Sequence, residues 1–525
     1  MTSKLKDIHI IALLTILFIA LVAFPRILHP EFDHGDEFSD ASMLVSGKNF
    51  VKFGFIRCKF LSFYDPHLTE LKDPYTHVPP MSDITNAMLR KIFKTDSLTF
   101  FRGVSLFFSL LNILLWYLFV KRFSNSSLLG FLAALFYFTN PYFIYGADSL
   151  YQNAYSDFLR AAIFLIFLYT LTSPQKRRTG LIILFLLFAL ETAYTFEYIV
   201  YLGLFMFVFR YFYLSDGRKL SMKYIFLLSL APVIILLLHF LKNAWYVGSF
   251  SQACLELKNV VLIRIARSHD SPIALTISSW WQYVFLRNVS LAYIFNFSIL
   301  IPFASFFGLL YYNLPTENKI KARRIFLLCL LLFICGISWY IIFPSHSLAH
   351  TFITFLPRHL VPAAALSFAL CGYIMYHFSR NQSPRGFLSR LPLIALVIAV
   401  SVSGILKSEL PVPGELRFAA KEFLKFKQCL LQIKAGEEDR AALGVNYYRY
   451  PFISYYANRK CFTVFSKDDL EKLRSLPEYF ILIPNNNPVT HELFLTLKEK
   501  YEMLFQCDSA RFPSFFMKLK GSGKS

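Results

Sequence analysis

Apolar residues in this chain come in long blocks, separated by short polar turns. Eleven blocks stand out, near 8–28, 100–120, 127–146, 157–173, 179–192, 196–214, 223–241, 290–312, 323–343, 359–378 and 390–408. A helix that crosses a bilayer core needs about 20 mainly apolar residues. The pattern therefore predicts an all-α polytopic membrane protein with about 11 transmembrane helices. The 179–192 block is short, and its helix is expected to bend into the next one. The first block follows Lys4 and Lys6 without a small-residue cleavage site after it, so it reads as an uncleaved span.

Charges between the blocks orient them. The segments on one side of the alternation carry Lys4/Lys6, Lys121/Arg122, Lys176/Arg177/Arg178, Arg218/Lys219/Lys223, Lys319/Lys321/Arg323/Arg324 and Arg380/Arg385/Arg390. Loops rich in Lys and Arg stay in the cytoplasm, so the N-terminus is expected there. Three large segments then face outward: loops 29–99 and 242–289, and the C-terminal tail. Pro411, Pro413 and Gly414 make a linker. Residues 1–411 are thus read as a membrane module and 412–525 as a small α/β extracytoplasmic domain. In that domain 415–434 and 491–500 read as helices, and 441–446, 479–483 and 515–519 as strands.

Composition agrees with the blocks. Hydrophobic residues make up 56% and charged residues only 17%, against roughly 25% charged in soluble domains. That excludes a soluble globular enzyme, a disordered chain and a fibrous protein. The net charge of +21 would point to nucleic acid in a soluble protein. Here the excess is used by the inside loops and suits anionic lipid, so no nucleic-acid partner is expected. The eight cysteines form no CxxC pair. Cys329, Cys335 and Cys371 sit in apolar runs, and a disulfide is compatible with any two of Cys429, Cys461 and Cys507.

Candidate chemistry gathers at the outer ends of the spans. Directly after the first span come Glu31, Asp33, Asp36, Glu37 and Asp40. Carboxylates just outside anionic lipid point to a substrate hydroxyl or a cation; the plain alternative is a solvated loop face. His77-Val78-Pro79-Pro80 follows in the same loop, where two prolines fix the backbone and stop a helix. Arg102 opens the second span, Asn140-Pro141 closes the third, and Asp148, Asp157, Glu191 and Glu197 lie in or beside the next outer turns. Ionisable groups at membrane depth are costly unless paired or hydrated, so their clustering argues for a shared polar cavity. Asp157 also has a local partner in Arg160, three residues on. Arg358 and His359 enter a late span between Pro357 and Pro362. Arginine binds phosphate bidentately; the alternative is snorkelling to the interface.

This ordered set resembles the GT-C glycosyltransferases that use polyprenyl-phosphate-linked sugars, in particular the bacterial protein-mannosyltransferase and aminoarabinose-transferase type. The features that carry the resemblance are Asp36-Glu37 after the first span, His77-Val78-Pro79-Pro80 with one residue between histidine and prolines, Arg102 with Lys121/Arg122 on the second span, Asn140-Pro141, and Arg358-His359-Leu360-Val361-Pro362. They cover roughly the first 410 residues. The resemblance implies an inverting transfer from a lipid-phosphate sugar to an acceptor hydroxyl at the outer membrane face. Asp36 would act as general base with Glu37 beside it, and His77, Arg102, Arg358 and His359 would bind the lipid phosphate. Asp148, Asp157 and Glu197 would form an acceptor or second acidic site.

No cofactor beyond the lipid-linked donor is implied. A divalent cation is compatible with the acidic cluster, but no spacing demands one, so metal ligands stay unassigned. Expected partners are the donor, membrane lipids and a cell-envelope glycan, lipid or protein acceptor. The expected location is a bacterial inner membrane with the active face and tail in the periplasm; an endoplasmic-reticulum membrane is the alternative. Rival activities are another lipid-linked glycan ligase or polymerase, and a secondary transporter.

Overall fold

The computed structural model describes residues 2–28, 37–66, 71, 74–76, 79–213, 221–266, 316–343, 357–382, 391–409, 425–434, 442–446, 450–473, 475–484, 488–508 and 514–520. The chain divides into two compact units. One comprises Met1–His29, His77–Pro79 and Leu98–Glu409; the other comprises Pro30–Thr76, Pro80–Ser97 and Leu410–Ser525.

The first unit is helical. Helices occupy the positions of ten of the eleven apolar blocks; the block near 290–312 lies outside the described residues. Among the described residues, five spans are long and apolar enough to cross a membrane: Asp7–Leu28, Leu98–Ser124, Asn153–Thr172, Met222–Val247 and Arg358–His377. That makes this an integral membrane protein. The Met222–Val247 helix exposes Phe226, Leu230, Val233, Leu237 and Leu241, an apolar surface at home in lipid and not in water. The third block breaks in two. Ser127–Phe138 ends at Thr139, and a short helix, Pro141–Gly146, starts afresh. The break is local chemistry: Asn140 caps the new helix by accepting from the Tyr142 amide at 3.0 Å, with Pro141 at the first helical position.

Aromatic rings fill the bundle. Trp116, Phe119 and Phe123 of the Leu98–Ser124 helix meet Phe164 of Asn153–Thr172 and Phe205 and Phe209 of Tyr198–Tyr213. Phe164 and Phe205 are 4.2 Å apart, centroid to centroid. Such packing stands in for a hydrophobic driving force that lipid does not supply. At the basic end, Asp7 accepts from Tyr117 at 2.8 Å and pairs with Lys121, tying the first span to the second.

The second unit combines loop and tail. Its sheet has the order β2-β1-β3-β5-β4: β1 (Leu443–Val445), β2 (Cys461–Thr463), β3 (Tyr479–Leu482), β4 (Tyr501–Cys507) and β5 (Ser514–Leu519). β1 runs parallel to β2 and β3, while β5 is antiparallel to β3 and β4. Gly444 is required in β1 because a Cβ there would collide with the Phe480 ring. Asn446 ties the ends of β1 and β3, donating to the Ile483 carbonyl at 2.8 Å and accepting from its amide at 2.7 Å. Ala41, from the Glu37–Phe53 helix of the first loop, sits in one core with Phe426, Leu430, Val445 and Phe516. Asn49 of that helix holds the loop by donating to the carbonyls of Phe63 and Asp65 at 2.9 and 2.8 Å. β2 and β4 were not expected from the sequence. β2 is three residues long, and β4 is an edge strand with mostly exposed side chains and a bulge between Met503 and Phe505, so neither shows a clean alternation.

Cys429 and Cys507 form a disulfide, in which Cys461 takes no part. The bond closes a loop with a sequence separation of 78, which restricts the unfolded chain by roughly 4 kcal/mol in the chain-entropy model. Cys429→Ser is expected to lower the unfolding temperature of the tail domain and to hasten its cleavage by protease, and reductant should do the same to the parent chain.

Candidate functional site

The two charged groups described next belong to the membrane unit. The first centres on one carboxylate shared by two guanidiniums. Asp157 accepts from Arg160 Nη2 at 2.8 Å and pairs through its other oxygen with Arg358 Nη2. Asp157 and Arg160 lie three residues apart on the Asn153–Thr172 helix, one turn, whereas Arg358 comes from the Pro357–Leu360 turn that leads into Val361–Gln382. Arg160, Asp157 and Arg358 are all 2% exposed or less.

Tyrosines wall in this triad. Arg160 Nη2 donates to the Tyr137 hydroxyl at 3.2 Å. Its guanidinium carbon lies 4.4 Å from the Tyr198 ring centre and 5.4 Å from that of Tyr201, within cation–π range. His359 stacks on the same Tyr198 ring at 4.5 Å, and its Nε2 is 3.5 Å from a Glu197 carboxylate oxygen. Two glycines permit the approach. A Cβ at Gly146 would collide with Arg358 Nη1, and one at Gly336 would come within 2.9 Å of the His359 carbonyl.

A second carboxylate repeats the arrangement. Asp148 pairs with Arg26 and lies 3.6 Å from Arg102 Nη1. Ser109 fixes the turn that carries it by donating to the Ala147 carbonyl at 2.7 Å. Arg26 reaches Asp148 from beyond a π-helical turn, Ile19–Ala23, whose extra residue rotates everything after it about the helix axis.

Each of these two carboxylates thus lies beside two guanidiniums. Among the described residues, Arg358 Nε and Nη1, Arg160 Nη1 and His359 Nδ1 have no hydrogen-bond partner. Buried N–H groups on a cationic cluster are suited to an anion with several acceptor oxygens, such as a phosphate. Nearby Glu191 is also buried, and neither of its oxygens meets a hydrogen-bond partner of ordinary geometry among the described residues; Ser156 and Arg160 are its polar neighbours.

The residues singled out in the sequence are distributed as follows. Arg358, His359, Asp157 and Glu197 come together in one group; Arg102 and Asp148 come together in the other. Asp157 and Asp148 each pair with arginines. Asp36 and His77 lie outside the described residues, and Glu37 starts the Glu37–Phe53 helix with its side chain outside them. The sequence reading missed Arg26, Tyr198, Tyr201 and Gly146. Arg26 was visible as a charge closing the first span, but nothing local marks the other three. Among the described residues no group of three His, Cys, Asp or Glu side chains is placed to hold a metal ion.

The fold is that of the GT-C glycosyltransferases. The structure resembles ArnT from Cupriavidus metallidurans bound to undecaprenyl phosphate, with TM-score 0.55, 13% identity, and 97% of this chain and 98% of that one covered. It also resembles the apo state of the same protein, with TM-score 0.51, 12% identity and 98% of both chains covered. The apo oligosaccharyltransferase of Archaeoglobus fulgidus is similar as well, with TM-score 0.50, 12% identity, and 91% of this chain and 69% of that one covered. No protein-family model and no curated protein sequence matches the chain.

Removing Asp157 takes away the carboxylate that both buried guanidiniums pair with. Asp157→Ala is expected to cost about 3–5 kcal/mol of stability, read as a lowered unfolding temperature in detergent or nanodiscs. Adding Arg358→Met to that variant should recover part of the loss, because one stranded charge goes with it.

Proposed function

We propose that this protein is an inverting glycosyltransferase that moves a sugar from a polyprenyl-phosphate donor to an acceptor hydroxyl at the outer membrane face. The observation that carries this reading is the buried arginine cluster with unused N–H groups, on a fold shared with ArnT and an oligosaccharyltransferase. The acceptor oxygen attacks the anomeric carbon from the face opposite the phosphate, and the anomeric C–O bond to phosphate breaks. The acceptor proton passes to a carboxylate, which the sequence motif assigns to Asp36, with Glu37 orienting it. The donor phosphodiester carries one negative charge, and the departing phosphate monoester gains a second as the bond breaks. Donors already aimed at that position stabilise the developing charge without rearranging. Arg358 and Arg160 supply them, His359 adds a ring nitrogen, and Arg102 and His77 complete the set assigned from sequence.

The neighbouring surface suits the rest of a lipid donor. An open apolar groove of about 510 Å³ is lined by Val200, Gly203, Leu204 and Phe207 on one helix and Ile334, Ile341 and Ile342 on another. Its one polar lining residue, Ser338, turns its hydroxyl to the Cys335 carbonyl at 2.6 Å. The groove starts within a turn of Tyr198 and Tyr201, which flank Arg160, so an isoprenoid chain has a dry path away from the phosphate. Asp148, Asp157 and Glu197 are assigned here to holding the arginines and His359 in place. The acceptor is a cell-envelope glycan, lipid or protein, and the reaction as written needs no cation. Location in a bacterial inner membrane, with the tail in the periplasm, belongs to the same reading.

The test is transfer from a panel of radiolabelled polyprenyl-phosphate sugars in membranes. The parent chain should transfer one of them. Asp36→Asn should abolish transfer at equal expression. Arg358→Met should lower it by roughly 10²–10³-fold, the usual effect of removing one preorganised donor to a developing anion. Absence of transfer with every donor would sink the reading.

A further inference from the structure

Glu191 is a buried carboxylate without a hydrogen bond. It lies in the last turn of the Arg177–Tyr194 helix and is 1% exposed. Neither of its oxygens has a hydrogen-bond partner of ordinary geometry among the described residues. A carboxylate inside a helical bundle is costly unless a neighbour or a proton answers its charge. Its neighbours are Ser156, Asp157 and Arg160, on the adjoining Asn153–Thr172 helix. Arg160 commits Nη2 to Asp157 and Tyr137, while its Nη1 has no hydrogen-bond partner. Glu191 therefore stands beside a guanidinium already paired with another carboxylate, and stops short of a bond to it.

Other charged groups on the surrounding elements are accounted for. Tyr198 and Tyr201 cover Arg160 with their rings, and Glu197 is 3.5 Å from His359 Nε2. The Met222–Val247 helix also packs against Arg177–Tyr194; its C-terminal half carries His239, edge-on to Phe196 at 5.2 Å, and Lys242. Arg177 and Arg178 sit at the opposite end of Glu191's own helix, roughly 20 Å away at the helical rise.

Charge arithmetic gives Glu191 a use. Arg160 and Arg358 carry two positive charges at any ordinary pH. Asp157 and Glu191, both ionised, cancel them, and little attraction remains for an anion. With a proton on Glu191 the four groups sum to one positive charge. That matches a phosphodiester, which carries one negative charge. A like charge beside the guanidinium that holds an anion changes its affinity by about tenfold or more.

We infer that Glu191 sets the charge of the phosphate site: it takes up one proton from solvent when a phosphodiester settles on Arg160 and Arg358, and in its ionised form it repels that ligand. The inference rests on the phosphate site proposed above. The only bond formed is the O–H on Glu191, and nothing is oxidised or reduced. Glu191 acts through Arg160 and touches no reacting atom, so it is a positioning residue.

The test titrates the full-length chain in nanodiscs with farnesyl methyl phosphate, a phosphodiester with no proton to lose near neutrality, at about pH 6 and about pH 8. The parent should bind about tenfold more weakly at the higher pH. Calorimetry in buffers of different ionisation enthalpy should show about one proton taken up per ligand there. Glu191→Gln keeps the shape and removes the titration. It should bind at both pH values as the parent does at the lower one, and take up no proton; a merely structural role would leave the proton count unchanged. The buffer series on the parent needs no variant, and a bound ligand without proton uptake would overturn the inference. Uptake retained in Glu191→Gln would move the proton to His359 or Glu197 and overturn it as well. Absence of binding at either pH would remove the phosphate site itself, a failure distinct from binding without a proton.

Discussion

A single carboxylate inside a helical bundle, Asp157, holds two arginines that would otherwise repel each other. Much of the membrane unit is arranged around that constraint. Arg358 needs the missing side chain of Gly146 to lie where it does, and Gly336 makes room for the backbone of the turn that carries it. Tyr137, Tyr198 and Tyr201 close around Arg160 with a hydroxyl and two ring faces. A buried ion triplet is a poor source of stability compared with apolar packing of the same volume. Its survival in a lipid-embedded protein fits a functional use of the buried N–H groups that have no hydrogen-bond partner among the described residues. The pattern recurs at Asp148, with Arg26 and Arg102 at adjoining ends of the first two spans.

The chemistry proposed here follows from those N–H groups. A phosphodiester leaving group gains charge as it departs, and buried, preoriented N–H groups are worth most when charge appears only in the transition state. Asp157 and Asp148 pair with these arginines. The second unit obeys different physics. It is built round a small mixed sheet and a disulfide, and it recruits the Glu37–Phe53 helix of the first long loop into the tail's own core. A boundary at residue 411 separates the two by sequence, but the compact unit crosses it.

Legibility differed from element to element. The helical blocks were readable because long apolar runs have few alternatives in a bilayer, where every backbone group must bond within its own segment. The Asn140-Pro141 break was visible as a motif, and its meaning as a helix cap is local chemistry. Tail strands β1, β3 and β5 announced themselves as short apolar runs. β2 and β4 did not, since a three-residue strand and an exposed, bulged edge carry no period. Arg358, His359 and Asp157 were all singled out, but their grouping was not.

By itself the sequence determined the membrane class, the alternation of basic segments between the apolar blocks and the short-range Asp157–Arg160 pair. These are properties of composition, run length and one-turn spacing. Only the tertiary structure decided that Arg358, 201 residues from Asp157, shares its carboxylate, and that Arg102 belongs with Arg26 and Asp148 instead. It also turned the polar face of the Met81–Phe93 helix inward, with Asn86 against Gly47. Pairing between distant segments depends on which helices touch and at what rotation, and a π turn, a missing side chain at Gly146 or a glycine at position 47 sets that rotation without leaving any periodic trace in the chain.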